Sequence, residues 1–167
     1  MMQILLVQAE ELDRAFFRMA HHLAYREVIE SMFGWNEVEQ DIIANSEFDA
    51  SNPHIINHAG TSVGTVGWQI REDHIWFGPI YIMPEFQNRG IGTSVLRQII
   101  EMSRAQKLRL RLRTLSENLG AKSFYERLGF GVMSATEKHW HMQFTNHGSD
   151  NIAHENDHPD VECSKGS

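Results

Sequence analysis

Ten residues, Pro84-Glu85-Phe86-Gln87-Asn88-Arg89-Gly90-Ile91-Gly92-Thr93, carry the clearest chemical signal in the chain. An apolar strand, Ile75 to Met83, runs into them, and a helix-period segment with Val95, Leu96, Ile99 and Ile100 leaves them. Two glycines two residues apart at the opening of a helix let the backbone approach a ligand and turn its free N–H groups outward. The first-turn amides of a helix lack partners and its dipole favours negative charge, so such a turn can hold phosphate. A Gly-x-Gly at a strand-to-helix junction also arises wherever the chain needs only a tight bend. No Lys-Ser or Lys-Thr follows a Gly-x-x-x-x-Gly, which excludes a Walker loop, and Val95 stands where the dinucleotide fingerprint needs its third glycine. What remains is Gln-x-x-Gly-x-Gly after a strand ending in Met-Pro.

A second block, Asn118-Leu119-Gly120-Ala121-Lys122-Ser123-Phe124-Tyr125-Glu126-Arg127-Leu128-Gly129-Phe130, follows at a distance. Asn118 suits the N-cap of a short helix and Gly129 its C′ position, and taken alone the block reads as a well-capped helix. In this order and at this separation, the two blocks resemble the acetyl-CoA pyrophosphate loop and the later motif of the GNAT superfamily of N-acetyltransferases. The resemblance covers about Ile4 to Phe144. It implies an α/β GNAT fold: a central mixed, mostly antiparallel sheet of about seven strands, helices on both faces, and a splayed pair of parallel strands that admits the pantetheine arm of acetyl-CoA. It also implies a reaction, acetyl transfer from acetyl-CoA to a primary amine of a small-molecule or peptidic acceptor, by direct attack in a ternary complex.

The resemblance assigns roles residue by residue. Backbone groups around Ile82 and Met83 would pair with pantetheine as an extra strand would, with one N–H pointing at the thioester carbonyl. Amides of Gln87, Asn88, Arg89, Gly90, Ile91, Gly92 and Thr93 would hold the pyrophosphate, and the Arg89 side chain could add a charge-assisted contact. Tyr125 matches the family's usual general acid for the CoA thiolate, and Asn118 would touch pantetheine while capping its helix. A phenol of pKa about 10 donates to a thiolate of about 8.5 only under strong local orientation, although hydrogen bonding alone assists departure. Tyr125 also reads as a core aromatic, a role that Phe124 fills better.

The base is harder to find. An alkylammonium of pKa about 10.4 is almost wholly protonated at pH 7, a penalty of roughly 4–5 kcal/mol. Some family members relay that proton through a Glu on the fourth strand, but His74 to Met83 holds no carboxylate. Glu27, Glu30, Glu37, His58 and His139 are candidates, each of which also reads as a surface residue; a water chain or an acceptor of low pKa would serve too. Phe33-Gly34-Trp35 resembles a signature of a bacterial GNAT subgroup in a region that forms one wall of the acceptor cleft. Trp35, Tyr25 and the glutamates there could make an aromatic, acidic pocket for a cationic amine, or Trp35 could simply plug a helix junction. His139 and His141 share a strand face, yet two ligands make a poor metal site, and no metal is expected.

The elements that must position these groups follow from periodicity. Gln3 to Gln8 reads as a strand. Glu10 to Phe33 reads as a helix with Leu12, Ala15, Phe16, Met19, Leu23, Val28, Ile29, Met32 and Phe33 at its spacing, ended by Gly34. Trp35 to Phe48 reads as a second helix with Val38, Ile42 and Ile43 inward. Strands follow at His54 to His58, Ser62 to Ile70 and His74 to Met83, the last two joined by an Arg71-Glu72-Asp73 turn. Gly78-Pro79 inside the fourth strand predicts a bulge or splay, since proline cannot donate to a ladder. Helix Gly92 to Gln106, strand Leu108 to Leu115, helix Leu119 to Leu128 and a hairpin of Gly131 to Thr136 with Lys138 to Phe144 complete the domain, 1–145. Arg109, Arg111 and Arg113 alternate with leucines, facing either the 3′-phosphate of the cofactor or solvent.

Composition bounds the rest. The 167 residues, 41% hydrophobic and 22% charged, suit one domain with one sizeable core. A net charge of −7 argues against a dedicated nucleic-acid partner. About −4 of it falls on residues 146–167, where five carboxylates meet only Lys165, and this acidic tail, without periodicity, is expected to be disordered. No apolar run approaches the roughly 18 residues of a membrane span, and the single cysteine, Cys163, fits a reducing cytoplasm. A homodimer is common in the family, though no interface is legible. A non-catalytic acyl-CoA-binding regulatory module is the alternative to an enzyme, as is an interaction domain with CoA as a structural ligand.

Overall fold

A computed structural model describes residues 2–145; the expected tail, 146–167, lies outside the described residues. Strand β1 (Ile4–Gln8) leads through one 3-10 turn into α1 (Arg14–Phe33). Gly34 ends α1 at φ 75°, and Asn36 opens α2 (Glu37–Ala50) by accepting the Glu39 N–H at 3.0 Å. Three strands follow, β2 (His54–His58), β3 (Thr61–Ile70) and β4 (His74–Ile82). Then come α3 (Ile91–Gln106), β5 (Arg109–Leu115), α4 (Leu119–Arg127), β6 (Phe130–Ala135) and β7 (His139–Phe144). These bounds agree with the periodicity reading to within a few residues.

One seven-stranded sheet runs in the order β1-β2-β3-β4-β5-β7-β6, and among its pairs only β4 and β5 are parallel. This is the mixed, mostly antiparallel arrangement of the GNAT fold. Ile91, Val95, Leu96, Ile99 and Ile100 of α3 bury one helical stripe against the sheet with Leu110, Leu112 and Met142. The opposite face is covered by α1 and α2, where Phe17, Ala20, Ala44 and Phe48 close over Tyr81 and Met83.

Helices α1 and α2 do not present the stripe that apolar spacing selects. Leu12, Met19, Leu23 and Phe33 of that stripe are exposed, Leu12 by 78%, and Val38 and Ile42 face solvent. Ile29 of the expected stripe is buried, but Phe17, Ala20 and His21 take the other inward positions, opposite Gln40, Ala44 and Phe48. The reason is chemical. Two inward positions belong to His21 and Gln40, which hydrogen-bond each other at 2.9 Å, so polar groups occupy the interface and an apolar count misplaces it.

The β4–β5 ladder is short, pairing only His74, Ile75 and Trp76 with Arg109, Leu110 and Arg111. Beyond it β4 passes through a cis Gly78–Pro79 bond, its register with β3 shifts between Val66 and Trp68, and the parallel strands part. Both the bulge and the splay expected from Gly78-Pro79 are present. Among the described residues, no helix is long and apolar enough to cross a membrane.

Candidate active site

The site is built on that gap in the sheet. Met83 N–H donates to Val63 O at 2.9 Å. Backbone groups of an antiparallel strand point alternately towards and away from one partner. Through the unbroken register Val66–Ile80, Thr65–Tyr81, Gly64–Ile82, Tyr81 therefore also faces β3, while Ile80 and Ile82 turn their N–H and C=O into the gap. The Tyr81 carbonyl lies so close to Gly64 that no Cβ fits there, in keeping with the same orientation. Beyond Trp76, no described strand pairs that edge of β4. Of the two residues expected to meet pantetheine, Met83 has its amide engaged and its side chain buried under α1 and α2. Ile82 keeps the expected orientation, and Ile80 joins it.

The loop after β4 begins with a 3-10 turn, Pro84–Phe86, and reaches α3 through Asn88 at φ 60° and Gly90 at φ 82°. Among the described residues, none of the six amides from Asn88 to Thr93 donates a hydrogen bond; Ser94, to Gly90 O at 3.0 Å, is the first that does. A row of free donors at the positive end of a 16-residue helix can accept an anionic diphosphate. The residues around it act differently from one another. Gln87 uses its side chain, Nε2 donating to Ile82 O at 2.9 Å and tying the loop to the strand. Arg89 lies over the Phe86 ring at 5.7 Å. Gly90 is the glycine whose backbone conformation a side chain would strain. Gly92 is small for another reason: a Cβ there would stand 3.2 Å from Cζ of Phe124, so it admits a ring from α4.

Asn118 caps α4 through Oδ1, accepting Ala121 N–H at 3.2 Å, and Gly129 follows the helix at φ 105°, as their types predict. Between them Tyr125 is 7% exposed, its ring 5.3 Å from Phe124 and 5.7 Å from Phe130. Burial, and then the Tyr25 phenol nearby, push its titration far above the ordinary phenol range. Tyr125 is thus a neutral donor at any working pH.

All three tyrosines of the chain converge here. Tyr25 of α1 sits edge-on to Tyr81 at 4.9 Å, and Tyr81 is raised by its burial and then by Glu47, Tyr25 and, last, Tyr125. The Tyr81 hydroxyl donates to Glu47 Oε2 at 2.5 Å and so accepts from His21 Nδ1 at 3.0 Å. Glu47, a third exposed at its side chain, therefore brings a carboxylate to the fourth strand from α2. Sequence reading missed it. The only signal was an acidic residue in α2 opposite an inward histidine in α1, too common a pattern to single out.

The other candidates scatter. Glu27 and Glu30 are exposed, Glu30 pairing with Arg26 at 3.8 Å. Glu37 accepts from Trp35 Nε1 at 2.7 Å and approaches His22 at 3.1 Å, while Trp35 packs on His22 and under Arg26. Trp35 thus closes the α1–α2 junction, and Tyr25 turns away from it towards Tyr81. His58 bonds Gln3 O at 3.2 Å, beside the β1 edge. His139 and His141 share a face with Arg113, which pairs with His141 across β5 and β7. Burial first, and Arg113 next, lower His139 to about 4 and hold His141 below the usual imidazole range, too weakly basic for an alkylammonium proton. Of the alternating arginines, Arg111 donates to Gln143 Oε1 at 2.9 Å, and Arg113 is exposed.

Comparison with known proteins agrees with this geometry. Residues 10–130 match the family described as acetyltransferase (GNAT) family. A 52-residue stretch is 42% identical to an uncharacterized N-acetyltransferase of Methanocaldococcus jannaschii; it is 30% of this chain and spans only 23% of that protein. The fold is similar to that of the PaiA N-acetyltransferase of Thermoplasma acidophilum in complex with coenzyme A, with a TM-score of 0.72 and 14% identity over 87% of this chain and 100% of that one. It is also similar to the ribosomal-protein-S18-alanine N-acetyltransferase of Escherichia coli, with a TM-score of 0.64 and 18% identity over 90% and 99% of the two chains. With an open-edged fourth strand, a row of free amides at the start of α3 and a family match over most of the folded chain, the protein belongs to the GNAT family of acetyltransferases.

Proposed function

We propose that the protein transfers an acetyl group from acetyl-CoA to a primary amine. The observation that carries this reading is the continuous donor track formed by the inner edge of β4, at Ile80 and Ile82, and the amides Asn88–Thr93. The track fits an amide-bearing arm followed by a diphosphate, the order of groups in CoA. Acetyl-CoA supplies the activated thioester. The amine nitrogen bonds to its carbonyl carbon, the C–S bond breaks, the amine sheds a proton and the departing sulfur takes one up.

The chain's own groups contribute at each point. An Ile80 or Ile82 N–H stabilises negative charge growing on the carbonyl oxygen. Tyr125, held neutral, donates a hydrogen bond to the departing sulfur, whose own proton affinity is lower, so assistance without full transfer suffices. Glu47, through Tyr81, supplies the acceptor for the amine's proton on the strand that lacks a carboxylate of its own. Asn118 fixes the helix that carries Tyr125.

The test combines calorimetry with acetyl-CoA and thiol release across an amine panel. Tyr125→Phe should keep acetyl-CoA affinity and lose about 10²-fold or more in kcat, the usual range for a positioned acid. Binding without thiol release from any amine would make the protein an acyl-CoA-binding module, and no binding would remove the cofactor assignment.

A further inference from the structure

The acceptor side of the gap has a polarity. Tyr25 of α1, edge-on to Tyr81 at 4.9 Å, feels both signs: its phenol is pushed up to about 12, first by burial and then by Glu47, with Arg113 acting in the opposite direction. A negative group therefore stands on the α2 side and a positive one on the β5 side. The negative group is committed: Glu47 receives the Tyr81 hydroxyl and lies 3.5 Å from His21. The positive group is not. Among the described residues Arg113 has neither a hydrogen bond nor an ion pair, and its side chain is exposed.

The surroundings of Arg113 matter more than its exposure. It lies on β5 two residues beyond Arg111, the last to pair with β4, so it flanks the start of the gap. Across β7 it faces His141, with His139 on the same face and the two imidazole rings 6.4 Å apart. His139, lowered to about 4, is neutral at pH 7, and His141 is lowered in the same direction, so the pair offers hydrogen bonds with little charge. Side by side on one wall, these make one permanent cation, two weakly basic imidazoles and phenols. A polyamine would meet like charge there, whereas an oxyanion would meet a planar guanidinium fork.

We propose that the acceptor is an amine carrying its own oxyanion, a carboxylate or a phosphate, which Arg113 binds while the amine points into the gap. This inference rests on the acetyltransferase reading and narrows it to amino acids and related zwitterions.

The test pairs each acid with its uncharged twin. Purified protein with acetyl-CoA is given an α-amino acid and its amide, phosphoethanolamine and ethanolamine, and a diamine, with thiol release as the readout. The acids should exceed their twins by tenfold or more in kcat/KM, and the two pairs distinguish carboxylate from phosphate. Arg113→Gln should bring each acid-to-twin ratio towards one by raising KM for the acid, and Arg113→Lys should restore part of it. Acetyl-CoA affinity, measured in parallel by calorimetry, separates the two layers of the argument. Absent binding overturns the acetyltransferase reading itself. Binding with equal use of acid and twin, with preference for the diamine, or with a ratio untouched by Arg113→Gln overturns the oxyanion inference alone, and binding with no amine turned over overturns both.

Discussion

Tyr81→Phe tests whether the buried chain from Gln40 through His21 and Tyr81 to Glu47 is worth what its geometry implies. The substitution removes one oxygen and no packing: the ring stays 5.6 Å from Phe17, 4.9 Å from Tyr25 and 5.1 Å from His21. Two hydrogen bonds vanish, to Glu47 at 2.5 Å and from His21 at 3.0 Å. His21 is 1% exposed, and its Nδ1 N–H keeps only the longer contact to Glu47 Oε2 at 3.5 Å, a loss of about 1–3 kcal/mol. Glu47 is 32% exposed at its side chain and regains water, so its loss is smaller, about 1 kcal/mol. The sum is roughly 2–4 kcal/mol, or about 5–15 °C in Tm for a domain of this size. Tyr25→Phe is the matched control, because the Tyr25 hydroxyl makes no hydrogen bond among the described residues; its change should stay within about 1 kcal/mol. Urea unfolding with unchanged slope measures both. A loss below about 1 kcal/mol in Tyr81→Phe, or equal losses in the two variants, refutes the reasoning.

Two further outcomes follow from the same structure. Gly92→Ala gains about 1 kcal/mol of helix propensity but sets a Cβ 3.2 Å from Phe124, a crowding cost of about 1–3 kcal/mol; the net loss should disappear in a Phe124→Leu background, and a loss equal in both backgrounds would detach Gly92 from that ring. His139, lowered to about 4 in the folded protein against an ordinary 6.5, binds fewer protons folded than unfolded between those values. Its contribution to stability is therefore complete above pH 6.5 and drains away as the pH falls towards 4, with His141 acting in the same direction. Urea midpoints across that window should fall less steeply in His139→Gln, and identical slopes would count against the assignment.

What was legible in the sequence was local. The strand, loop and helix around Gly90, the Asn118 cap and the Gly129 stop each depend on residues within a few positions, and Gly78-Pro79 announces the gap because proline lacks a donor. What was not legible depends on partners distant in sequence or on atoms common to every residue. Glu47 meets Tyr81 across 34 positions and two intervening strands. The engagement of Met83 and the freedom of Ile80 are properties of backbone amides, decided by register with β3. The inward face of α1 was misread because His21 and Gln40 satisfy each other, which makes two polar side chains behave as core. Gly92 was read as a concession to a ligand, and only the arrival of Phe124 from α4 reveals its packing role.

The three residue pairs between β4 and β5 divide the sheet into two leaves, β1–β4 and β5–β7–β6, bound along a short spine. At the fore-edge of this book α1 reaches across by exposed contacts, Ser31 donating to Glu117 at 3.3 Å and Lys138 over Phe33 at 5.5 Å. Contacts of that kind hold by a few tenths of a kcal/mol to about 1 each. The spine, backed by the buried stripe of α3, holds far more firmly. The pages are therefore bound least firmly at the edge away from the spine, and in the proposed reaction a cofactor arm lying between them would act as the missing stitch.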